Sequence, residues 1–172
     1  MKLSQIHSAG DLKQCTEAEL VEIAREIREV IIHRTSIQGG HVGPSLGATD
    51  IILALHYVFN CPDDKIIFDI SHQSYAHKIL TNRLEGFMEE NKFCTVSGYS
   101  NPCESNCDLF HLGHASTALS LACGLVIGRD LNQTKENIIA LIGDGALSGG
   151  EAFEALNHLA TMQSKLHRNH QR

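Results

Sequence analysis

Two short, continuous apolar runs most constrain how this chain of 172 residues folds. Residues 65–70 are rich in Ile and Phe, and residues 137–142 are almost wholly aliphatic before Gly143, Asp144 and Gly145. Unbroken apolar runs of this length are typical of strands that are buried on both faces of a parallel sheet. Because helical patterns alternate with these runs, the sequence predicts an α/β fold, a parallel sheet flanked by helices.

The helices are predicted from capping signals and from the spacing of apolar residues. Thr16 and Glu19 fit a capping box, and apolar residues then recur at helical spacing until the glycine pair at residues 39–40. Similar patterns predict helices at residues 46–59, 116–131 and 149–162. A short, mostly apolar run predicts a strand at 109–112, and a stretch with Gly, Pro, Ser and Asn predicts a long loop at 89–107.

Composition and charge exclude several classes of protein. Apolar residues make up 42% and charged residues 20%, as in ordinary soluble domains. The net charge of −6, with no basic stripe, argues against a nucleic-acid partner. The apolar runs are too short to cross a membrane and no apolar leader follows Met1, so we expect a cytoplasmic protein with reduced cysteines. A zinc site built from Cys103, Cys107, His111 and His114 is disfavoured by their spacing.

Asp144 is the first candidate for chemistry, because it follows a buried strand and is flanked by glycines. A carboxylate oxygen is a hard ligand for Mg²⁺, and the glycines let the backbone approach an anionic ligand closely. The alternative is a simple Asp-Gly turn.

Three further segments are candidates because they follow strands or are rich in glycine. Residues 113–117 precede a predicted helix, whose N-terminal amides can bind an anion; alternatively Ser116 is only the N-cap. His72 follows the strand at 65–70 and is suited to phosphate binding or proton relay, although packed histidines are common there. His41 lies in a glycine-rich loop at 39–47 that by itself indicates only a loop.

Together the segments around His41, His72, Gly113 and Asp144 resemble, in order and wording, the 1-deoxy-D-xylulose-5-phosphate synthases, relatives of the transketolases. The resemblance runs from about residue 6 to about residue 166 and includes the stretches at 55–59 and 77–81. One departure is Ser71, which replaces the glycine of the commoner Gly-His-Gln motif; we interpret it as variation within the family.

The resemblance implies a thiamin-diphosphate-binding fold, with the cofactor held through Mg²⁺. Such enzymes are transferases that condense pyruvate with D-glyceraldehyde 3-phosphate, with loss of CO₂, and so supply isoprenoid (terpenoid) and thiamin biosynthesis. By resemblance, Asp144 is the metal ligand and His41 and His72 are catalytic. The residues expected to contact the cofactor are His72, Gly113, His114, Ala115, Gly143, Asp144, Gly145 and Ala146.

Members of this family are three or four times longer and act as homodimers, so residues 1–172 are expected to be a truncated N-terminal, diphosphate-binding domain. Beyond residue 166 the family pattern has an apolar strand ending in a second metal ligand, which polar residues replace here. We therefore expect an incomplete sheet and an inactive fragment. Two alternatives stay open: a small subunit completed by a separate C-terminal partner chain, and a non-catalytic interaction module.

Overall fold

The computed structural model describes residues 2–162, together with the backbone of residues 167–171. Three strands and eight α-helices alternate along this part of the chain, with shorter helical turns between some of them. In chain order they are α1 (Ala9–Leu12), α2 (Glu17–Gln38), α3 (Val42–Val58), β1 (Lys65–Phe68), α4 (Tyr75–Lys78), α5 (Glu85–Met88), α6 (Ala118–Asn132), β2 (Ile138–Gly143), α7 (Asp144–Leu147), α8 (Gly150–Thr161) and β3 (His167–Gln171).

The three strands form one parallel sheet in the order β1-β2-β3. Lys65 is opposite Ile138 at one end of the β1–β2 pair, and Phe68 is opposite Leu141 at the other. The parallel sheet and its α/β class are therefore as predicted. The strand β3 is a correction, because no strand was expected after residue 166. Its backbone groups pair with β2 all the same, since ladder hydrogen bonds do not depend on the polarity of side chains.

Helices cover the sheet on both faces, and residues of β1 and β2 point alternately to the two sides. Ile66 and Ile139 belong to a hydrophobic cluster with α2 and α3, whereas Ile67 and Ala140 belong to a second cluster with α6 and α8. This two-sided burial explains why the strands are continuous apolar runs. No helix within the described residues is long and apolar enough to cross a membrane.

The helix predictions agree with the structure to within a few residues, and α2 begins with the predicted capping box. The Thr16 N–H donates to Glu19 Oε2 (2.8 Å), and the Glu19 N–H donates to Thr16 Oγ1 (3.4 Å). The helix α3 begins at Val42, earlier than the predicted start at residue 46, and so takes in Pro44 within its first turn.

One strand prediction and one loop prediction need correction. Residues 109–112 form no strand; Leu109 and Leu112 instead pack, partly buried, against the cluster beside α6 and α8. The three apolar residues of this run can be buried by packing alone, without a sheet partner, and the periodicity of so short a run does not distinguish the two outcomes. The predicted loop at 89–107 also contains a 3₁₀ helix, Glu90–Thr95.

A buried cluster of charged side chains fastens the rest of that loop to α4. Lys78 Nζ lies 2.6 Å from Glu104 Oε2, and Arg83 donates to both oxygens of Asp108 (2.9 and 2.8 Å). The neutralising partners allow Lys78 and Asp108, both with fully buried side chains, to remain charged away from water. Asp108 also accepts from the Asn101 N–H (2.8 Å), which ties the cluster to the backbone of residues 97–108.

Two buried histidines extend this cluster toward α3. His77 Nε2 lies 3.0 Å from Asp108 Oδ1, and His77 Nδ1 lies 2.9 Å from His56 Nε2. Burial, followed by the positive charge that His77 and Arg83 would add, holds the pKa of His56 well below its ordinary value. Burial also lowers the pKa of His77, although Asp108 opposes that shift.

Candidate functional site

The carboxyl ends of β1 and β2 border a cavity of about 450 Å³. Ligands of open parallel sheets generally bind at this end of the strands. The cavity brings together segments that are distant in sequence, and its lining residues are Pro44, Asp69, Ile70, His72, Gln73, Ala115, Gly143, Asp144, Gly145 and Ala146.

The wall from β2 combines a carboxylate with open backbone. Asp144 is exposed, and its Oδ1 accepts a hydrogen bond from the Gly145 N–H (2.8 Å). A Cβ added at Gly143 or Gly145 would meet no atom within 4 Å, so free space adjoins both glycines. A ligand can therefore approach the main chain here as closely as the sequence analysis expected.

The wall from β1 contains strained backbone. Ile70 and Ser71 have φ values of 58° and 73°, which are unusual for any residue except glycine and costly for a β-branched one. Two hydrogen bonds hold this turn: Ser71 Oγ accepts from the Ser100 N–H (2.8 Å), and Ser45 Oγ donates to the His72 carbonyl oxygen (3.2 Å). The strained turn carries His72 into the cavity.

Asp69 connects β1 to the start of α6. Its carboxylate accepts from the Ser116 N–H (Oδ1, 2.9 Å) and from the Ala118 N–H (Oδ2, 3.0 Å). These amides belong to the helix N-terminus that was predicted to bind an anion, and Asp69 already satisfies two of them. The side chain of Ser116 does not cap the helix either, because its Oγ donates to the Ala146 carbonyl oxygen (2.6 Å).

Ser116 links the ends of β1 and β2, because its N–H binds Asp69 and its Oγ binds the Ala146 carbonyl oxygen. Ser116 has a φ of 73°, and a Cβ added at Gly149 would lie only 2.0 Å from its Oγ. Gly149 is thus required by this approach, and the loop after β1, the start of α6 and the turn after β2 are fixed relative to one another.

The histidines lie side by side. His72 lines the cavity, and its ring centroid is 5.6 Å from that of His41, edge to face. Burial, and then the neighbouring His41, lowers the pKa of His72 below its ordinary value. His41 itself precedes α3, and its N–H donates to the hydroxyl of Tyr75 (3.3 Å). It is not among the cavity-lining residues.

Several residues of the site were missed by the sequence analysis. Gln73 donates from Nε2 to the Asp69 carbonyl oxygen (3.0 Å), while its buried Oε1 has no hydrogen-bond partner among the described residues. Asp69 and Gln73 both lie within three residues of His72 in the sequence. Their closeness to a candidate residue was the signal that could have identified them as site residues. Tyr99, whose hydroxyl lies 3.3 Å from His41 Nε2, comes from the loop in which no site residue was assigned.

The predicted cofactor-contacting residues fall into two neighbouring places. His72, Ala115 and the four residues 143–146 line the main cavity. Gly113 and His114 line a second cavity of about 380 Å³, beside α6 and α8, together with His111, Leu112, Thr117, Ser120, Leu121 and Glu151. His114 of the second cavity and Ala115 of the main cavity are consecutive in the chain.

The residues of the main cavity fit a diphosphate held through Mg²⁺. In the described part of the chain no three His, Cys, Asp or Glu side chains converge to hold a metal by themselves. Mg²⁺ suits such a place, because it commonly takes one or two carboxylates and fills its remaining positions with phosphate oxygens and water. Asp144 offers the carboxylate, the open backbone offers room for phosphate, and Gln73 Oε1 offers an acceptor for a ligand N–H.

Comparison with known proteins gives one consistent family. A family model described as 1-deoxy-D-xylulose-5-phosphate synthase matches residues 3–167. Proteins named 1-deoxy-D-xylulose-5-phosphate synthase from Halalkalibacterium halodurans and Carboxydothermus hydrogenoformans are 46% and 48% identical over 96% and 95% of this chain. The relative from Heliobacterium modesticaldum is 49% identical over 91% of it. The chain spans about a quarter of each relative, 26%, 26% and 24% respectively.

Proposed function

The chain belongs to the 1-deoxy-D-xylulose-5-phosphate synthase family, and from that premise we propose that it supplies the magnesium and diphosphate side of a thiamin-diphosphate site. The reaction of the complete site is the condensation of pyruvate with D-glyceraldehyde 3-phosphate, with loss of CO₂. The observation that carries the proposal is the single cavity in which Asp144, His72 and Ala115 meet, although they are far apart in sequence.

Each part of the cavity has a role in this proposal. Asp144 binds the metal, and the backbone at Gly145 and Ala146 lies along the diphosphate. His72 and His41 hold or move a proton near the reacting substrate; the lowered pKa of His72 favours the neutral ring, which is able to accept one. When bound, thiamin diphosphate supplies the electron-accepting ring that makes loss of CO₂ possible.

The 172 residues by themselves are expected to bind the cofactor weakly and to be inactive, because the described residues offer contacts only to its charged end. Titration calorimetry with thiamin diphosphate and Mg²⁺ tests this, and we expect a Kd weaker than about 1 μM. The residual affinity is expected to require Mg²⁺ and to be lost in Asp144→Asn but kept in Asp50→Asn, an exposed carboxylate on α3. A Kd of about 1 μM or lower would contradict the prediction of weak binding.

A chimera tests the assignment to the synthase reaction. Residues 3–166 would replace the matching segment of the Carboxydothermus hydrogenoformans relative, and product formation would be measured with both substrates. We expect activity that depends on added thiamin diphosphate and Mg²⁺ and that is lost on Asp144→Asn. A chimera that folds and dimerises but makes no product would favour a non-catalytic module.

A further inference from the structure

Tyr99 is held in place by the buried charged cluster. The Ser97 N–H donates to Glu104 Oε1 (2.8 Å), and Ser97 Oγ donates to the Tyr99 carbonyl oxygen (2.8 Å). On the other side of Tyr99, the Ser100 N–H donates to Ser71 Oγ (2.8 Å). The backbone on both sides of Tyr99 is therefore anchored, once to a buried ion pair and once to the strained turn beside the cavity.

The hydroxyl of this anchored tyrosine meets the ring of His41. The two ring centroids are 5.0 Å apart, in an edge-on arrangement, and the hydroxyl oxygen is 3.3 Å from Nε2. The other ring nitrogen of His41, Nδ1, is buried and has no hydrogen-bond partner within the described residues. Nε2 is thus engaged, whereas Nδ1 is enclosed by the protein and has no partner there.

The chemistry of the two groups decides the direction of this hydrogen bond. A phenol hydroxyl, with a pKa of about 10, is a good donor, and the bare nitrogen of a neutral imidazole is the better acceptor of the pair. With the hydroxyl donating to Nε2, the single hydrogen of the neutral ring is on Nδ1. A buried N–H without a partner is costly, so the hydrogen bond at Nε2 must outweigh that cost for this tautomer to dominate.

We propose that Tyr99 is a positioning residue: its hydroxyl fixes His41 in the tautomer with hydrogen on Nδ1 and holds the ring 5.6 Å from that of the cavity-lining His72. The inference rests on the proposed function for the role of His41. Its structural core, the tautomer set by Tyr99, requires neither cofactor nor activity.

Long-range ¹H–¹⁵N correlation spectra of the histidine rings test the proposal in the full 172-residue chain at pH about 8.5, where imidazoles are neutral. The His41 signals are assigned by their loss in His41→Gln. In the unsubstituted chain we expect the Nδ1–H tautomer to dominate. In Tyr99→Phe, which keeps the ring contact and removes the hydroxyl, we expect the Nδ1–H to Nε2–H ratio to fall about fivefold, the effect of one ordinary hydrogen bond.

Tyr57→Phe is the matched control. Tyr57 is as exposed as Tyr99 (37% against 38%) but lies on α3 beside a separate apolar groove, so the His41 ratio is expected to stay unchanged. Hydrogen on Nε2 in the unsubstituted chain would overturn the proposal, and that measurement stands even where Tyr99→Phe fails to fold. An equal ratio in all three proteins, or an equal change in both variants, would overturn it too. Failure of thiamin diphosphate to bind would leave this result intact.

Discussion

Ser71 satisfies two requirements that favour different residues. Its φ of 73° favours glycine, which is the residue of the commoner family motif. Its hydroxyl, however, accepts a hydrogen bond from the buried Ser100 N–H, which would otherwise be unpaired. From the sequence we interpreted this serine as variation within the family, because a positive φ and a contact 29 residues away are invisible in a local motif. The serine exchanges backbone strain for a hydrogen bond that fixes the segment carrying Tyr99.

Substitutions at Ser71 separate these two effects. Ser71→Ala keeps the strain and leaves a buried N–H unpaired, which is expected to cost about 1–3 kcal/mol of unfolding free energy. Ser71→Gly also loses the hydrogen bond but relieves the strain, so it should be more stable than Ser71→Ala by about 1 kcal/mol. Urea unfolding of the three proteins measures both differences. Equal stability of the two variants would show that the left-handed backbone carries no strain.

At the scale of elements, each connection to the site is made by a side chain that reaches from one element to another. Asp69 at the end of β1 caps α6, and Ser116 before α6 binds the turn after β2. The strands themselves were predictable, since burial on both faces dictates continuous apolar runs. These long-range hydrogen bonds were not, because residue types alone do not reveal which buried amide a carboxylate will reach.

The capping role of Asp69 leads to a second prediction. Asp69→Asn leaves one oxygen to accept two amides and adds a donor that faces them, so it is expected to lower the unfolding free energy by about 1–3 kcal/mol. The exposed Asp50, paired with Arg28 at 2.8 Å, provides the control: Asp50→Asn should change stability far less. Urea unfolding compares the two variants, and similar losses would argue that Asp69 contributes only surface charge.

The buried cluster allows an unusually close comparison of ion pairs. Lys78–Glu104 and Lys92–Glu85 have the same N–O distance of 2.6 Å, but the first pair is buried and the second is largely exposed. Glu104→Gln leaves Lys78 and Arg83 to share the single negative charge of Asp108 and is expected to cost about 3–5 kcal/mol. Glu85→Gln is expected to have little effect. Comparable losses in chemical unfolding would refute the importance of burial.

For the molecule as a whole, the buried histidines make stability depend on pH. Because the pKa values of His56 and His77 are lowered in the folded state, the unfolded chain binds more protons as the pH falls below about 6.5. Their contribution to stability is complete above that pH and is lost on acidification. Below about pH 4, Asp108 and Glu104, whose pKa values are also lowered, add a further loss.

Chemical unfolding at several pH values measures this dependence. Between about pH 6.5 and 5 we expect the unfolding free energy to fall by up to about 1.4 kcal/mol per pH unit for each buried histidine. Replacement of the exposed His158 by Gln should leave the slope unchanged, whereas His56→Gln should reduce it. A stability that is flat over this range would contradict the assignment of both histidines as buried neutral rings.

The sequence predicted the α/β architecture, both buried strands and most cavity-lining residues after β2, because each of these has a local signature. It did not predict β3, whose pairing depends on backbone alone, or the separation of Gly113 and His114 from the main cavity. Nor did it predict Tyr99 beside His41, a contact between residues 58 positions apart. What escaped prediction is the set of features that arise only when distant segments meet.

The walls of the main cavity come from segments as far apart as Pro44 and Ala146, so the cavity exists only in the folded ensemble. Any small molecule that fits it must therefore protect the protein by mass action: at ten times its Kd it adds about 1.4 kcal/mol to the unfolding free energy. For a domain of this size that raises the melting midpoint by a few degrees. A thermal-shift screen of phosphorylated metabolites would thus report occupancy of this crevice without any turnover.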